Sequence, residues 1–262
     1  MRFRITFNIT GRQKMLPMDY QYSMASWIYN IIAKADLGYG RFLHKKGYRT
    51  GNKTFKFFSF SPLNIKPFTA WKDKGLFELL NTRTDCLVSF VADRAAESYI
   101  KGIFTDQKCF IGDKFNGLDL EVETIEALHY PVFTETMQYR ALSPVCLSIK
   151  ESGRHAKYLD PEHEKYAGCF ASNLVEKACS MILNSLKDDL VATNDKPDIR
   201  FRLMGKSRSK LITIKPGLPE ETRVRGYLYD FELTAPPEFH EIGYYAGFGE
   251  KNSMGFGCVE VV

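Results

Sequence analysis

The chain has 262 residues, 44% of them hydrophobic, and a formal net charge of +5. That length suits one large or two small domains with a core of their own, and no run approaches the roughly 20 apolar residues of a membrane span. The alternating start, Met1-Arg-Phe-Arg-Ile-Thr-Phe, lacks the continuous apolar stretch of a signal peptide, so a cytoplasmic protein with no membrane partner is expected.

Phe3, Ile5, Phe7 and Ile9 alternate with Arg2, Arg4, Thr6 and Asn8, which predicts a half-buried strand. Met24, Trp27, Ile28, Ile31 and Ile32 recur at helical spacing and make one apolar stripe. A phenylalanine-rich run, Phe55 to Phe60, and a β-rich run, Cys86 to Val91, come next. A second helical pattern passes through Ala92, Ala95, Ala96, Tyr99, Ile100 and Ile103, and Leu118 to Ile125 alternates as a strand. The order is β-α-β-β-α-β.

The second half repeats that order more loosely. A strand spans about Met137 to Ile149, interrupted at Pro144. A long helix opens near Asp160-Pro161, where Asp caps and Pro suits the first helical position. Its apolar side holds Phe170, Leu174, Ala178, Met181, Ile182 and Leu186. Two alternating runs follow, Ile199-Phe201-Leu203 and Tyr227-Tyr229-Phe231-Leu233, then a short helix within Pro236 to Tyr245 and a strand from Met254 to Val262. Two such units predict an α+β fold of two tandem ferredoxin-like (RRM-like) domains, residues 1–126 and 127–262. Helices then cover one face of each sheet and leave the other open, the face used by RNA-recognition modules.

Charge is clustered. Arg41, Lys45, Lys46, Arg49, Lys53 and Lys56 lie in one stretch without an acid, and Arg202, Lys206, Arg208, Lys210 and Lys215 in another. Such clusters attract polyanions in a salt-dependent way; solvated loops are the plainer account. The six cysteines, at 86, 109, 146, 169, 179 and 258, form no C-x-x-C pair, so they are expected as small hydrophobes in a reducing compartment rather than zinc or redox ligands. No carboxylate cluster suggests two-metal hydrolysis; Asp188 and Asp189 are adjacent on a helix end and are expected to be solvated. No metal or other cofactor is expected.

Five glycines fall within Gly243-Tyr-Tyr-Ala-Gly-Phe-Gly-Glu-Lys-Asn-Ser-Met-Gly-Phe-Gly257. Glycine permits positive φ and close approach of backbone N–H groups to a ligand, and successive N–H groups make anion sites. That would place Gly247, Gly249, Lys251, Asn252, Ser253, Gly255 and Gly257 against a phosphate-bearing partner. A structural turn before a terminal strand accounts for the composition equally well. In the first helix, Tyr29 falls away from the apolar stripe, on the side of Tyr22, Ser26 and Ala33, either as a surface residue or with its hydroxyl in a cleft. His44 opens the first basic cluster, where an imidazole exchanges protons near bound phosphate. Of the other histidines, His163 is placed at a helix N-terminus, and His129, His155 and His240 at loop or surface positions.

The uninterrupted string Gly-Phe-Gly-Glu-Lys-Asn-Ser-Met-Gly-Phe-Gly resembles the C-terminal glycine-rich loop of the CRISPR repeat-processing endoribonucleases, the Cas-six family of repeat-associated RNA-binding proteins. Gln21 to Ile32 resembles that family's first helix, with Tyr29 at its tyrosine position, and Phe42-Leu-His44 matches its histidine. Lys56, before a phenylalanine-rich strand, fits the family's lysine best, with Lys53 as a rival. Leu142-Ser-Pro-Val145 and Lys157 to Pro161 resemble the start of the second domain. The basic stretch containing Lys206 and Arg208 is either an RNA-contacting hairpin or an exposed loop. The resemblance covers essentially the whole chain. It implies two ferredoxin-like domains and cleavage of CRISPR precursor RNA by attack of the ribose 2′-OH, without metal, leaving 2′,3′-cyclic phosphate and 5′-OH ends. The implied partners are repeat RNA, as precursor and as processed guide, and an interference complex; the chain would be a monomer or homodimer. A non-catalytic RNA-binding subunit of the same superfamily is the alternative, and a small-molecule sensor is a third.

Overall fold

Alternation in the first eight residues buries Phe3, Ile5, Phe7 and Ile9 and forms β1 (Arg2–Ile9). In this computed structural model, which describes residues 1–91, 93–105, 107–150, 156–186 and 197–262, there follow β2 (Met15–Pro17), α1 (Gln21–Ala35), α2 (Leu37–Lys45), β3 (Tyr48–Thr50), β4 (Lys53–Phe55), β5 (Phe58–Phe60), β6 (Phe68–Trp71), β7 (Leu76–Leu79), β8 (Arg83–Phe90), α3 (Asp93–Thr105), β9 (Lys108–Gly112) and β10 (Gly117–Ala127). Within this half, β1-α1-β5-β8-α3-β10 is a ferredoxin-like unit. Its antiparallel sheet runs β5-β8-β1-β10, with β9 added beside β10. The stripe Met24, Trp27, Ile28, Ile31 and Ile32 is buried as its spacing requires. Gly102 of α3 lies so close to α1 that a Cβ there would meet the Ile31 carbonyl oxygen at 2.1 Å.

The second half contains β11 (Thr136–Ala141), β12 (Ser148–Ile149), β13 (Lys157–Tyr158), α4 (Tyr166–Leu183), β14 (Arg200–Ile214), β15 (Thr222–Thr234), α5 (Pro237–Ala246) and β16 (Val259–Val261). The antiparallel sheet β14-β15-β11-β16 repeats the ferredoxin-like order. The two halves share one apolar core. Arg2 ties them together: its buried guanidinium donates to Ser89 Oγ (2.7 Å), to the Val259 carbonyl (2.7 Å) and to the Tyr244 carbonyl (2.6 Å), and lies 3.5 Å from the Tyr244 ring centroid.

Several boundaries differ from those expected. The stretch Met137 to Ile149 is not one strand: β11 stops at Ala141, and Ser148–Ile149 pairs separately with Lys157–Tyr158. The Asp160-Pro161 start becomes a turn, with Asp160 Oδ1 accepting from the Glu162 N–H (3.0 Å), and the helix begins at Tyr166. The last strand is only Val259–Val261, because residues 252–254 form a 3-10 turn. His240 is fully buried in α5, not at the surface. Its Nε2 can only donate to the Glu135 carbonyl (3.1 Å), so in the neutral ring Nδ1 accepts from the Tyr139 hydroxyl (2.9 Å), and burial lowers its pKa. Ala92, His155, Asp188 and Asp189 lie outside the described residues.

The open sheet faces carry matched charges. Arg4 pairs with Glu126 (3.2 Å) and Arg83 with Glu123 on the first sheet; Arg140 pairs with Asp230 (3.0 Å) and Arg202 with Glu232 (2.8 Å) on the second.

Candidate functional site

The corner between α1 and α2 sets the first part of the site. Asp36 is extended, and its carboxylate accepts from the Tyr39 N–H (2.9 Å), capping α2. Gly40 faces Ala33 so closely that a Cβ would sit 2.6 Å from the Ala33 Cα. The two helices therefore meet backbone to backbone, and the last turn of α2 folds back over α1. That brings the His44 ring edge-on to Tyr29, with centroids 5.1 Å apart at 90°. Tyr29 also packs against Phe58 of β5 at 5.2 Å. Although it lies off the apolar stripe, Tyr29 is only 6% exposed, because α2 and β5 cover it. Burial pushes its phenol up to about 12, partly offset by a hydrogen bond with the Ser253 hydroxyl. His44 is exposed.

The end of α2 positions the lysine. The N–H groups of Lys46 and Gly47 both reach the Phe42 carbonyl (2.8 Å each), and Gly47 turns the chain at φ +63°. The Lys56 ammonium then donates to the terminal carbonyls of Leu43 and His44, the latter at 3.0 Å. A cation is favourable at that helix terminus. Burial, with Arg49 nearby, lowers the Lys56 pKa to about 8. A Cβ on Gly47 would lie 2.9 Å from the Lys56 Nζ and 2.6 Å from the Phe55 carbonyl oxygen. The rival Lys53 pairs with Glu176 of α4 at 2.5 Å.

The glycine segment is a built loop whose main chain is largely bonded within the fold. N–H groups of Phe248, Glu250, Met254, Gly255 and Gly257 donate to carbonyls of Gly257, Cys146, Lys251, Asn252 and Pro144. Gly247, Gly249, Gly255 and Gly257 all have positive φ, and their missing Cβ atoms would strike protein: Asn252, the Cys146 carbonyl, Phe60 and the Phe248 carbonyl respectively. Internal packing therefore already requires these glycines. Asn252 also faces inward, its Nδ2 donating to the Phe248 carbonyl (2.9 Å) and the Phe256 carbonyl (3.1 Å). Lys251 is exposed at φ +57°, and Ser253 is buried beside Tyr29.

Sequence reasoning missed the residue that braces this loop. Lys177 of α4 is 1% exposed, and its ammonium donates to the Gly247 carbonyl, the Gly249 carbonyl (2.8 Å) and Asn252 Oδ1 (2.9 Å). Burial lowers its pKa to about 7, opposed by Glu250 and Glu176. The available signal was a lysine set three residues after Leu174 and next to Ala178, on the apolar side of that helix.

Between the β3–β4 hairpin, α4 and the loop lies a cleft of about 690 Å³, lined among others by Lys53, Lys56, Lys150, Lys251 and Ser253. Lys206 and Arg208 lie elsewhere, exposed on β14 where its pairing with β15 shifts register between Met204 and Arg208. The neighbouring half-buried Lys210 has its pKa lowered by burial, opposed by the charge of Asp19. Among the described residues no three His, Cys, Asp or Glu side chains converge as a metal site, and no helix is long and apolar enough to cross a membrane.

Comparison with known proteins gives a consistent set. The family model described as CRISPR associated protein Cas6, C-terminal, matches residues 128–261, and that described as CRISPR-associated protein Cas6, N-terminal, matches residues 15–117. CRISPR-associated endoribonuclease Cas6 1 of Methanocaldococcus jannaschii is 28% identical, across 95% of this chain and 89% of its own length. CRISPR-associated endoribonuclease Cas6 of Pyrococcus furiosus is 26% identical, across 100% and 90%. Among solved structures, one described as CRISPR associated protein Cas6 aligns with a TM-score of 0.73 and 27% identity, covering 100% of this chain and 99% of the other. A Cas6-related protein from Pyrococcus furiosus aligns at 0.80 with 21% identity, covering 100% and 98%, a likeness of fold.

Proposed function

The chain belongs to the CRISPR-associated Cas6 family, and from that premise we propose that it is a metal-independent endoribonuclease cutting CRISPR precursor RNA within its repeats. The observation that carries the reading is the convergence of His44 on Tyr29, with Ser253 of the glycine loop bonded to the same phenol. RNA brings its own nucleophile. A base removes the ribose 2′-OH proton, the oxygen attacks the adjacent phosphorus in line, and the P–O5′ bond breaks. The departing oxygen takes a proton, leaving a 2′,3′-cyclic phosphate and a 5′-OH. His44, the exposed imidazole, exchanges one of these protons. Tyr29 keeps its proton near neutral pH, because burial holds the phenol at about 12; it acts as a donor to the phosphate or the departing oxygen. Lys56 has two N–H bonds on Leu43 and His44, and its third N–H remains to stabilise phosphorane charge. Lys251, with Lys206 and Arg208, supplies phosphate contacts. Incubating a cognate repeat RNA with the protein in EDTA tests the reading. Cleavage with a cyclic phosphate end, reduced about 10²–10⁴-fold in His44→Ala, is expected; undiminished cleavage by that variant removes His44 from the mechanism.

A second reading, a non-catalytic RNA-binding subunit that holds guide RNA for an interference complex, is favoured by one observation: the Lys56 amine is bonded to main-chain carbonyls of its own domain. It predicts tight repeat binding and no cut product from any cognate repeat.

A further inference from the structure

We propose that the cleft beside the glycine loop is a nucleobase pocket in which Asn173 reads an adenine of the bound RNA. Asn173, on α4, is 5% exposed, and its Oδ1 has no hydrogen-bond partner among the described residues. Leaving such a buried acceptor unpaired is costly, so a native fold retains one where something else satisfies it. Asn173 lines two adjoining cavities, the 690 Å³ cleft and a neighbour reached past Lys53, Ser148 and Glu250. The volume is in the usual range for small-molecule sites, about 300–1,000 Å³.

The surroundings specify the ligand class. Lys150 and Lys251 are exposed at the rim, and Lys53 lies on the same wall, so an anionic backbone is drawn across the mouth. Phe55 and Tyr158 add half-buried aromatic surface to the lining, which suits the flat face of a base. The carboxylate of Glu250 is held by the Ser148 N–H (3.1 Å) and hydroxyl (2.9 Å), and so is directed into the protein. An amide can turn either end outward about its terminal torsion. It therefore offers one acceptor and one donor side by side. Adenine matches that pair, giving N6–H and taking at N7. Lys56 and Ser253 line the same cleft, which places the base next to the proposed reacting phosphate. The pocket thus rests on the RNA reading given above, with Asn173 as a specificity-determining residue.

The test compares affinities of the intact protein for oligoadenylate and oligoinosinate hexamers at one salt concentration, by fluorescence anisotropy. The two RNAs share a backbone and differ only at N1 and position 6 of the base, where adenine has an acceptor and an amino group and hypoxanthine an N–H and a carbonyl, so phosphate contacts cancel. Wild type should bind oligoadenylate about 5- to 150-fold more tightly, and Asn173→Ala should bring the two affinities together while keeping the wild-type melting temperature. Equal affinity of wild type for both RNAs, no binding to either, or a preference that survives Asn173→Ala in a folded variant overturns the proposal. Equal wild-type affinities overturn the proposal even if the variant does not fold. Affinity is read without turnover, so a protein that fails to cleave still passes or fails here.

Discussion

Replacing Lys177 with methionine tests whether the glycine loop is braced by a buried amine close to its titration point. In the folded protein the amine is surrounded by two carbonyls and the Asn252 amide oxygen, with Glu250 and Glu176 near but not bonded to it, and its pKa falls to about 7 from 10.5. Below pH 7 the folded and unfolded chains both hold the proton. Between 7 and 10.5 the folded chain has released it and the unfolded chain has not. The unfolded state then binds more protons, so this group makes stability rise with pH. One pH unit corresponds to about 1.4 kcal/mol, so wild type should gain about 3 kcal/mol over Lys177→Met between pH 6 and pH 9. Methionine has a similar volume and no proton to lose, and the other titrating groups are common to both proteins. Urea unfolding of the pair at pH 6 and pH 9, followed by tryptophan fluorescence, measures the difference of differences. A stability gap that stays constant to within about 0.5 kcal/mol would mean that the amine remains charged throughout, and the reasoning from burial would be wrong.

Gly47→Ala should lower cleavage and stability together, because the new methyl meets both the Phe55 carbonyl and the Lys56 amine at a residue with φ +63°; a loss above about 1 kcal/mol is expected, and a neutral result in thermal melts would show that the α2 terminus yields freely. Lys251→Gly, which relaxes the φ of +57° while deleting the charge, should lower the salt slope of RNA binding by about one; an unchanged slope would make Lys251 a bystander. Arg2→Met should cost about 3 kcal/mol or more in urea, since it strips charge-assisted bonds from the buried Tyr244 and Val259 carbonyls; no loss would mean that apolar packing alone joins the halves.

Period-two and period-3.6 patterns made β1, α1 and most of the two repeated units legible, because burial on one face leaves a direct mark on residue order. Short elements left weaker marks. β3, β4 and β12 have two or three residues each, too few for any period to register. The same limit explains the misplaced start of α4: Asp160-Pro161 is good capping chemistry, and a local turn used it instead. Tyr29 shows the limit at a site. Its position off the stripe was visible in one helix, but its burial depends on α2 and β5, which cover that flank from elsewhere in the chain.

By itself the order of residues determined the two β-α-β-β-α-β units, the glycine-rich terminus and the candidate pair Tyr29 and His44, since each is a local pattern of spacing or residue type. Tertiary structure alone decided that Ser253 sits on the Tyr29 phenol, that Lys56 ties down the end of α2, and that Lys177 holds the loop from within. Those relations join residues 12 to 224 positions apart, and only the closing of two domains on a shared core determines which polar groups lose water and must find one another.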